Sequence, residues 1–234
     1  NNIGRLDQKQ SIQSKVLIIG MVGLGCPAAE FLTSSGVGSI GIIDSDEVDL
    51  SNIHRQSLYD INDLNKSKVL AAQKKLKKIN SQTKVNCHKI RLNKDNFKKF
   101  LKEYDFIVDG SDNFKTTFLI NDFCKTSKKF LVSGAISKFD GHIFTFDFKN
   151  KNTPCIRSFF QEEEISDDIL NCEYEGILGT VAGIIGTIQA NEILKKILNI
   201  GQNLNGHILI LDLLNLNFRK VKLNKVKNVK KDIY

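Results

Sequence analysis

Lys15-Val16-Leu17-Ile18-Ile19-Gly20 is an unbroken apolar run, rich in β-branched residues and closed by glycine. Strand side chains alternate between faces, so such a run predicts a strand buried on both, as in a parallel sheet. Pro27 to Ser34 follows as a helix carrying Ala28, Ala29, Phe31 and Leu32, and Ser39 to Asp44 reads as a second strand. Lys66 to Ile79 is predicted helical, with Val69, Leu70, Leu76 and Ile79 as its apolar positions. A strand at Lys84–His88, a helix at Asn93–Leu101, a strand at Phe106–Asp109, a helix at Phe114–Cys124 and a strand at Phe130–Ser133 continue the alternation. The pattern predicts an α/β fold: a doubly wound, Rossmann-like, mainly parallel sheet with helices on both faces. Ligands are expected at the C-terminal ends of its strands.

The period then changes. Gly141 to Phe148 alternates as an antiparallel strand does, and residues 149–175 are polar and acidic, reading as a mobile loop. Gly176 to Ile200 predicts an apolar, glycine-bearing helix, and His207–Leu213 with Phe218–Leu223 a hairpin-like pair extending the sheet. Residues 1–234 are read as a single domain, its nucleotide-binding half at about 15–135 and its second half at about 136–234.

Composition narrows the classes. Apolar residues are 41% and charged residues 26%, a balance that argues against disordered and fibrous chains. The longest uncharged apolar stretch, Ile177–Ala190, is too short to span a bilayer, and residues 1–15 lack the apolar core of a signal peptide. A soluble, cytoplasmic protein without a membrane partner is expected. The sequence opens at Asn1 rather than Met, which leaves room for a preceding piece. The net charge of +8 invites a nucleic-acid partner, but 29 of the 34 basic residues are Lys, whereas readers of phosphate and base edges favour Arg. Nucleic acid is therefore not the expected partner. The basic run from Arg219 to Lys231 begins as an edge strand guarded by lysines. Cys26, Cys87, Cys124, Cys155 and Cys172 are odd in number and widely spaced, and no C-x-x-C pair occurs, so neither a disulfide framework nor a zinc site is supported. Cys26, Cys87 and Cys124 are read as buried packing on their elements.

The first strand runs into Gly20-Met21-Val22-Gly23-Leu24-Gly25 at the start of a helix. Glycines there let backbone amides approach a phosphate at the helix N-terminus, although a lone glycine turn is commonly just a tight bend. Asp44 closes the second strand 19 residues after Gly25, where a carboxylate can accept ribose hydroxyls. Together these favour a nucleotide without deciding between NAD and ATP. The loop from Asp44 to Gln56 decides, because it gathers Asp44, Asp46, Asn52, Arg55 and Gln56, with Lys68 13 residues after Arg55 and Asp112 beyond the strand ending at Asp109. A dehydrogenase has no need of Arg, Lys and an additional Asp around the phosphates. A nucleotidyl transfer does, since cations hold a triphosphate and a carboxylate can hold Mg²⁺.

In order and spacing, GLGCPAAEFL, GVGSIGIIDSDEVDLSNIHRQ, KSKVLAA, DFIVDGSDNF, SGAISKFDGHI and GILGTVAGIIGTIQANEILK resemble the MoeB/ThiF/HesA family, bacterial relatives of ubiquitin-activating enzymes. The resemblance runs over nearly the whole chain. It implies adenylylation, with ATP and Mg²⁺, of the C-terminal glycine of a small ubiquitin-like sulfur-carrier protein ending in Gly-Gly. It also implies release of pyrophosphate, a homodimeric enzyme, and a product that serves cofactor biosynthesis of the thiamine or molybdopterin type. It makes Asp44 the ribose ligand, Gly20, Gly23 and Gly25 the phosphate loop, and Asn52, Arg55 and Lys68 the triphosphate clamp. Asp112 becomes the Mg²⁺ ligand, and the second half of the chain the carrier-binding and dimer half. Cys172 stands where relatives carry a thiol that joins covalently to the activated carrier, an inert loop thiol being the other reading.

Three departures from the family pattern follow. Val22 replaces the usual glycine, where it would crowd the phosphate or, at positive φ, be strained. Ser158 replaces one cysteine of the first zinc-binding pair and the second pair is absent, so no structural zinc is expected. The N-terminal arginine that relatives lend to a partner subunit has no match in Asn1–Ser14, and the rhodanese domain of some relatives is absent, which makes a separate sulfur donor the expectation. A catalytically weak binding module of the same fold, and activation of a tRNA-borne carboxylate, are the alternative readings.

Overall fold

The apolar runs form β1 (Lys15–Ile19), β2 (Ser39–Ile43), β3 (Lys84–His88), β4 (Phe106–Asp109) and β5 (Phe130–Ser137), all parallel. Three antiparallel strands, β6 (Asp140–Asp147), β7 (His207–Asp212) and β8 (Asn217–Lys222), complete one sheet in the order β3-β2-β1-β4-β5-β6-β7-β8. The computed structural model describes residues 5–160 and 176–224. The helices are α1 (Arg5–Gln13), α2 (Gly25–Ser34), α3 (Lys68–Ile79), α4 (Lys94–Glu103), α5 (Phe114–Thr126) and α6 (Gly179–Leu198).

Both faces of β1 are buried, as the unbroken apolar run requires. Val16 and Ile18 join a core built with α2, α3 and α6, whereas Leu17 and Ile19 join a second core built with α4 and α5. The chain winds outward from β1 through β2 to β3, then returns through α4 to place β4 on the other side of β1. Strand order thus reverses between β1 and β4, and the loops leaving these strands diverge and open a crevice there. Register fixes the geometry: Ile19 at the end of β1 pairs with Ile43 of β2 and with Asp109 of β4.

Several elements differ from the sequence reading. The polar segment before β1 is helical, although α1 has no apolar stripe; its end is tied down by the Ser11 carbonyl, which accepts from the amides of Gly38 and Ser14 at 2.9 and 3.1 Å. In α3 the buried side is Val69, Ala72 and Leu76, one stripe at helical spacing, so Leu70 and Ile79 face outward. Phe31 on α2 is exposed in the same way. Residues 149–160 are not a mobile loop. Ile156 is buried, its amide donates to Asn121 Oδ1 at 3.1 Å, and Arg157 forms a forked ion pair with the buried Asp122 of α5 at 2.7–3.1 Å. The rest of the acidic stretch, residues 161–175, lies outside the described residues, as does the basic tail beyond Asn224. β8 is the exposed edge strand. Among the described residues no helix is long and apolar enough to cross a membrane.

Gly41 in β2 is needed because the Tyr104 ring lies over it: a β carbon there would overlap the ring and stand 2.8 Å from Leu17 Cδ1. Tyr104 is itself buried and cannot swing clear. Gly41→Ala is therefore expected to lower stability by about 1–3 kcal/mol, read as a lower urea midpoint with an unchanged slope.

Candidate functional site

The ends of β1, β2 and β4 build the crevice. After β1, Gly20 takes φ +87°, which an L side chain rarely adopts. A β carbon at Gly20 would stand 2.8 Å from the Gly110 carbonyl oxygen, and one at Gly25 would overlap the Gly20 carbonyl. Gly23 is close to α6 and to the Arg55 turn, its ideal β carbon 3.1 Å from Ala182 Cβ and 3.5 Å from the Arg55 carbonyl. The amides of Val22, Gly23, Leu24 and Gly25 have no acceptor among the described residues. Four free donors at the start of α2 suit an anion.

Val22 is half-buried and is absent from the residues with positive φ, so the left-handed strain that a valine would suffer there does not arise. Its carbonyl accepts from the Cys26 amide at 3.1 Å and starts the turn into α2.

Asp44 follows β2 and is nearly buried, 8% exposed. Its Oδ2 accepts from the Met21 amide and its Oδ1 from the Asp46 amide, each at 2.8 Å. Burial raises its pKa above the usual carboxylate value, while Lys68 and the two amides oppose that shift. Each oxygen keeps a lone pair for a hydroxyl donor. Lys68, the first residue of α3, is 3% exposed and its ammonium lies 3.6 Å from the exposed carboxylate of Asp46. Ser67 before it has a buried hydroxyl with no partner.

Arg55 ends a 3-10 turn at Leu50–Arg55, begun by the Asp49 side chain accepting from the Ser51 amide. Its guanidinium donates to Asn52 Oδ1 at 2.5 Å and to the Ser51 carbonyl at 3.3 Å, and has no carboxylate partner among the described residues. Gln56 is buried, with Oε1 unpartnered. Asp112 lies exposed two residues beyond Gly110 and, among the described residues, is held by Asn113 Nδ2 at 3.2 Å. The structure thus gathers the glycine loop, Asp44, Asp46, Asn52, Arg55 and Lys68 at one edge. It leaves Asp112 on the facing loop, and Cys172 lies outside the described residues.

Two groups at this edge were not singled out from the sequence. Asp109 ends β4 fully buried, its Oδ1 accepting from the Ser111 amide and hydroxyl at 3.1 and 2.6 Å and its Oδ2 from Ser133 Oγ at 2.7 Å. It thereby fixes the loop that carries Asp112. Gln189 of α6 donates to the Asp109 carbonyl at 2.7 Å. The signal for Asp109 was present: like Asp44, it is a carboxylate closing a buried β-branched run.

Burial pushes the Cys26 thiol up to about 12 and the Cys87 thiol up to about 11, and neither is activated. Cys87 is half-buried rather than buried, its Sγ donating to the Val69 carbonyl at 3.2 Å. A cavity of about 610 Å³ between α4 and α5 is lined by none of the residues of this edge. Its lining includes Lys94, Lys98, Lys102 and Lys129 together with Asp95 and Asp122, and Lys129 already donates to the Tyr104 carbonyl at 2.7 Å.

A model of the ThiF family matches residues 1–232. A Thermus thermophilus protein named sulfur carrier protein adenylyltransferase is 36% identical over 226 residues, 95% of this chain and 83% of that protein. A Culex quinquefasciatus protein named adenylyltransferase and sulfurtransferase MOCS3 is 39% identical over 223 residues, 95% of this chain. The chain spans about half the length of the MOCS3 relatives, 50% in that case. Crystal structures of E. coli MccB with MccA-N7isoASN and with ATP share the fold, with TM-scores of 0.83 and 0.81 at 19% and 20% identity, over 94% and 95% of this chain and 67% of each of those chains.

Two outcomes follow from the geometry. Because burial makes native Asp109 hold its proton more tightly than the unfolded chain does, its contribution to stability is full below the ordinary value of 3.8 and is lost as pH rises through its raised native value. Asp109→Asn should therefore lose less stability than the wild type between pH 4 and 7, measured by thermal melts and compared as a difference. Since Val22 is unstrained, Val22→Gly should lower stability by about 0.5–1 kcal/mol through added chain entropy, where relief of strain would raise it.

Proposed function

This chain belongs to the ThiF family, and from that premise we propose that it uses ATP and Mg²⁺ to adenylate the C-terminal glycine of a small ubiquitin-like sulfur-carrier protein. The observation that carries the reading is the set of unbonded amides at Val22–Gly25 flanked by Arg55, which has no acidic partner among the described residues, and by the buried Lys68. Such a constellation suits a triphosphate and exceeds what a dinucleotide needs.

In this reading Asp44 accepts the ribose hydroxyls through its remaining lone pairs. Lys68 exchanges its loose 3.6 Å pairing with Asp46 for phosphate oxygens. Arg55, held against its own turn by Asn52 and the Ser51 carbonyl, takes up charge near the glycine loop. The carrier carboxylate attacks the α-phosphorus in line, an oxygen–phosphorus bond forms, and the bond to pyrophosphate breaks. These residues act by positioning and charge neutralisation, with no covalent step on the protein. Asp112, exposed and bonded to Asn113, would hold Mg²⁺, which when bound neutralises phosphate charge. We assign the first half of the chain, about 15–135, to the nucleotide, and the antiparallel strands of the second half to the carrier. The outward face of α6, with Ile184 and Ile188 beside Gly183, supports a homodimer contact.

ATP–pyrophosphate exchange, measured with small Gly-Gly-ending proteins added singly, should require one of them. Arg55→Ala, Lys68→Ala and Asp112→Ala should each slow it by about 10²–10³. Exchange supported by tRNA in place of a carrier would move the assignment to a tRNA-borne carboxylate. Rates unaltered in all three variants would remove the site assignment.

A further inference from the structure

Five hydrogen bonds close a ring around the nucleotide edge. The Met21 amide donates to Asp44 Oδ2 at 2.8 Å, and the Tyr59 hydroxyl lies 3.0 Å from the Met21 carbonyl oxygen. The same hydroxyl lies 3.3 Å from the Lys68 carbonyl oxygen. The Lys68 amide donates to the Asp46 carbonyl at 3.0 Å, and the Asp46 amide returns to Asp44 Oδ1 at 2.8 Å. All the links are backbone groups except two, the Asp44 carboxylate and the Tyr59 hydroxyl. Asp44 is expected to face the ligand, which leaves Tyr59 as the side chain that closes the ring from behind.

We infer that Tyr59 is a positioning residue for the nucleotide, setting the phosphate loop and Lys68 in register with each other. The inference rests on the reading of this edge as the ATP site. Tyr59 is 5% exposed, and its amide donates to the Gln56 carbonyl at 3.1 Å, so it is also tethered to the turn that carries Arg55. Its single proton is shared between two carbonyls from two different loops. A trans peptide points its carbonyl and its following amide in opposite directions. By drawing the Met21 carbonyl inward, Tyr59 therefore turns the Val22 amide outward, toward the unbonded donors at the start of α2. The Lys68 carbonyl is drawn in likewise, which fixes the first turn of α3 and the root of the Lys68 side chain. Burial raises the phenol pKa well above its usual value and keeps the donor protonated. The Cys26 thiol, 3.7 Å from the same Met21 oxygen, is a weaker donor that cannot replace it.

Tyr59→Phe removes the hydroxyl and keeps the ring. The full chain and this variant would be compared in the wild-type and Lys68→Met backgrounds, by exchange kinetics and by calorimetric titration of MgATP. The expected result is an ATP KM and Kd about 3- to 10-fold higher, the size of one lost buried hydrogen bond. Carrier KM should be unchanged and the thermal midpoint should fall by no more than about 4 °C. In the Lys68→Met background the penalty should shrink to the part carried through the Met21 carbonyl and the phosphate loop, a non-additivity that a merely structural hydroxyl would not show. An unchanged ATP affinity, an equal penalty in both backgrounds, or a variant that does not fold overturns the inference. Calorimetry separates the two readings: wild-type ATP binding without carrier-dependent exchange would defeat the proposed reaction and leave Tyr59 testable on Kd alone.

Discussion

The carbonyl of Gly20 occupies the space that a β carbon at position 25 would need, and the carbonyl of Gly110 stands 2.8 Å from where one at position 20 would be. This three-way backbone contact sets the geometry of the crevice. It lets β1 and β4 end side by side with no side chain between them, so the loop leaving β1 and the loop leaving β4 share one edge. It also brings α2 down onto the sheet with its free amides exposed at the strand ends. α6 seals the same region by the same means: the ideal β carbon of Gly186 would overlap the Leu24 carbonyl, and that of Gly179 the His54 carbonyl. Close backbone approach holds the phosphate loop, the Arg55 turn and the last helix as one body.

Two buried carboxylates then divide the work at neighbouring strand ends. Burial raises both, yet their surroundings differ. Asp109 is sealed, its oxygens taken by Ser111 and Ser133, and it orients the loop that carries Asp112. Asp44 is balanced by the nearby Lys68 charge and two amides and keeps a slight opening to solvent. A cation next to a partly open carboxylate can be shared with an arriving polyanion, whereas a carboxyl group wholly closed off from solvent cannot meet one. That difference supports Asp44 as the ligand group and Asp109 as its scaffold.

The parallel strands were legible because burial on both faces leaves an unbroken β-branched signature, and Asp44 because it ends such a run ahead of an acid- and amide-rich loop. The rest was hidden for identifiable reasons. α1 carries no apolar stripe, and its docking rests on a backbone bond from Gly38 to Ser11 and on packing against α6, neither of which a local pattern contains. Residues 149–160 look polar, but Arg157 is matched by Asp122, 35 residues away, a pairing that no local pattern contains. Leu70 and Phe31 were counted as apolar helix positions although the buried stripes lie elsewhere. Whether Val22 is strained required its φ, and the part played by Tyr59 required two carbonyls far apart in the chain. Asp109 could have been found by its likeness to Asp44.

The account turns on one pocket, so the most direct measurement is a structure of the chain with a non-hydrolysable ATP analogue and Mg²⁺. It predicts ribose hydroxyls on Asp44, phosphate oxygens over Gly20–Gly25 between Arg55 and a Lys68 released from Asp46, and Asp112 on the metal. A nucleotide seated instead in the lysine-lined cavity between α4 and α5, with Lys68 still paired to Asp46, would contradict it.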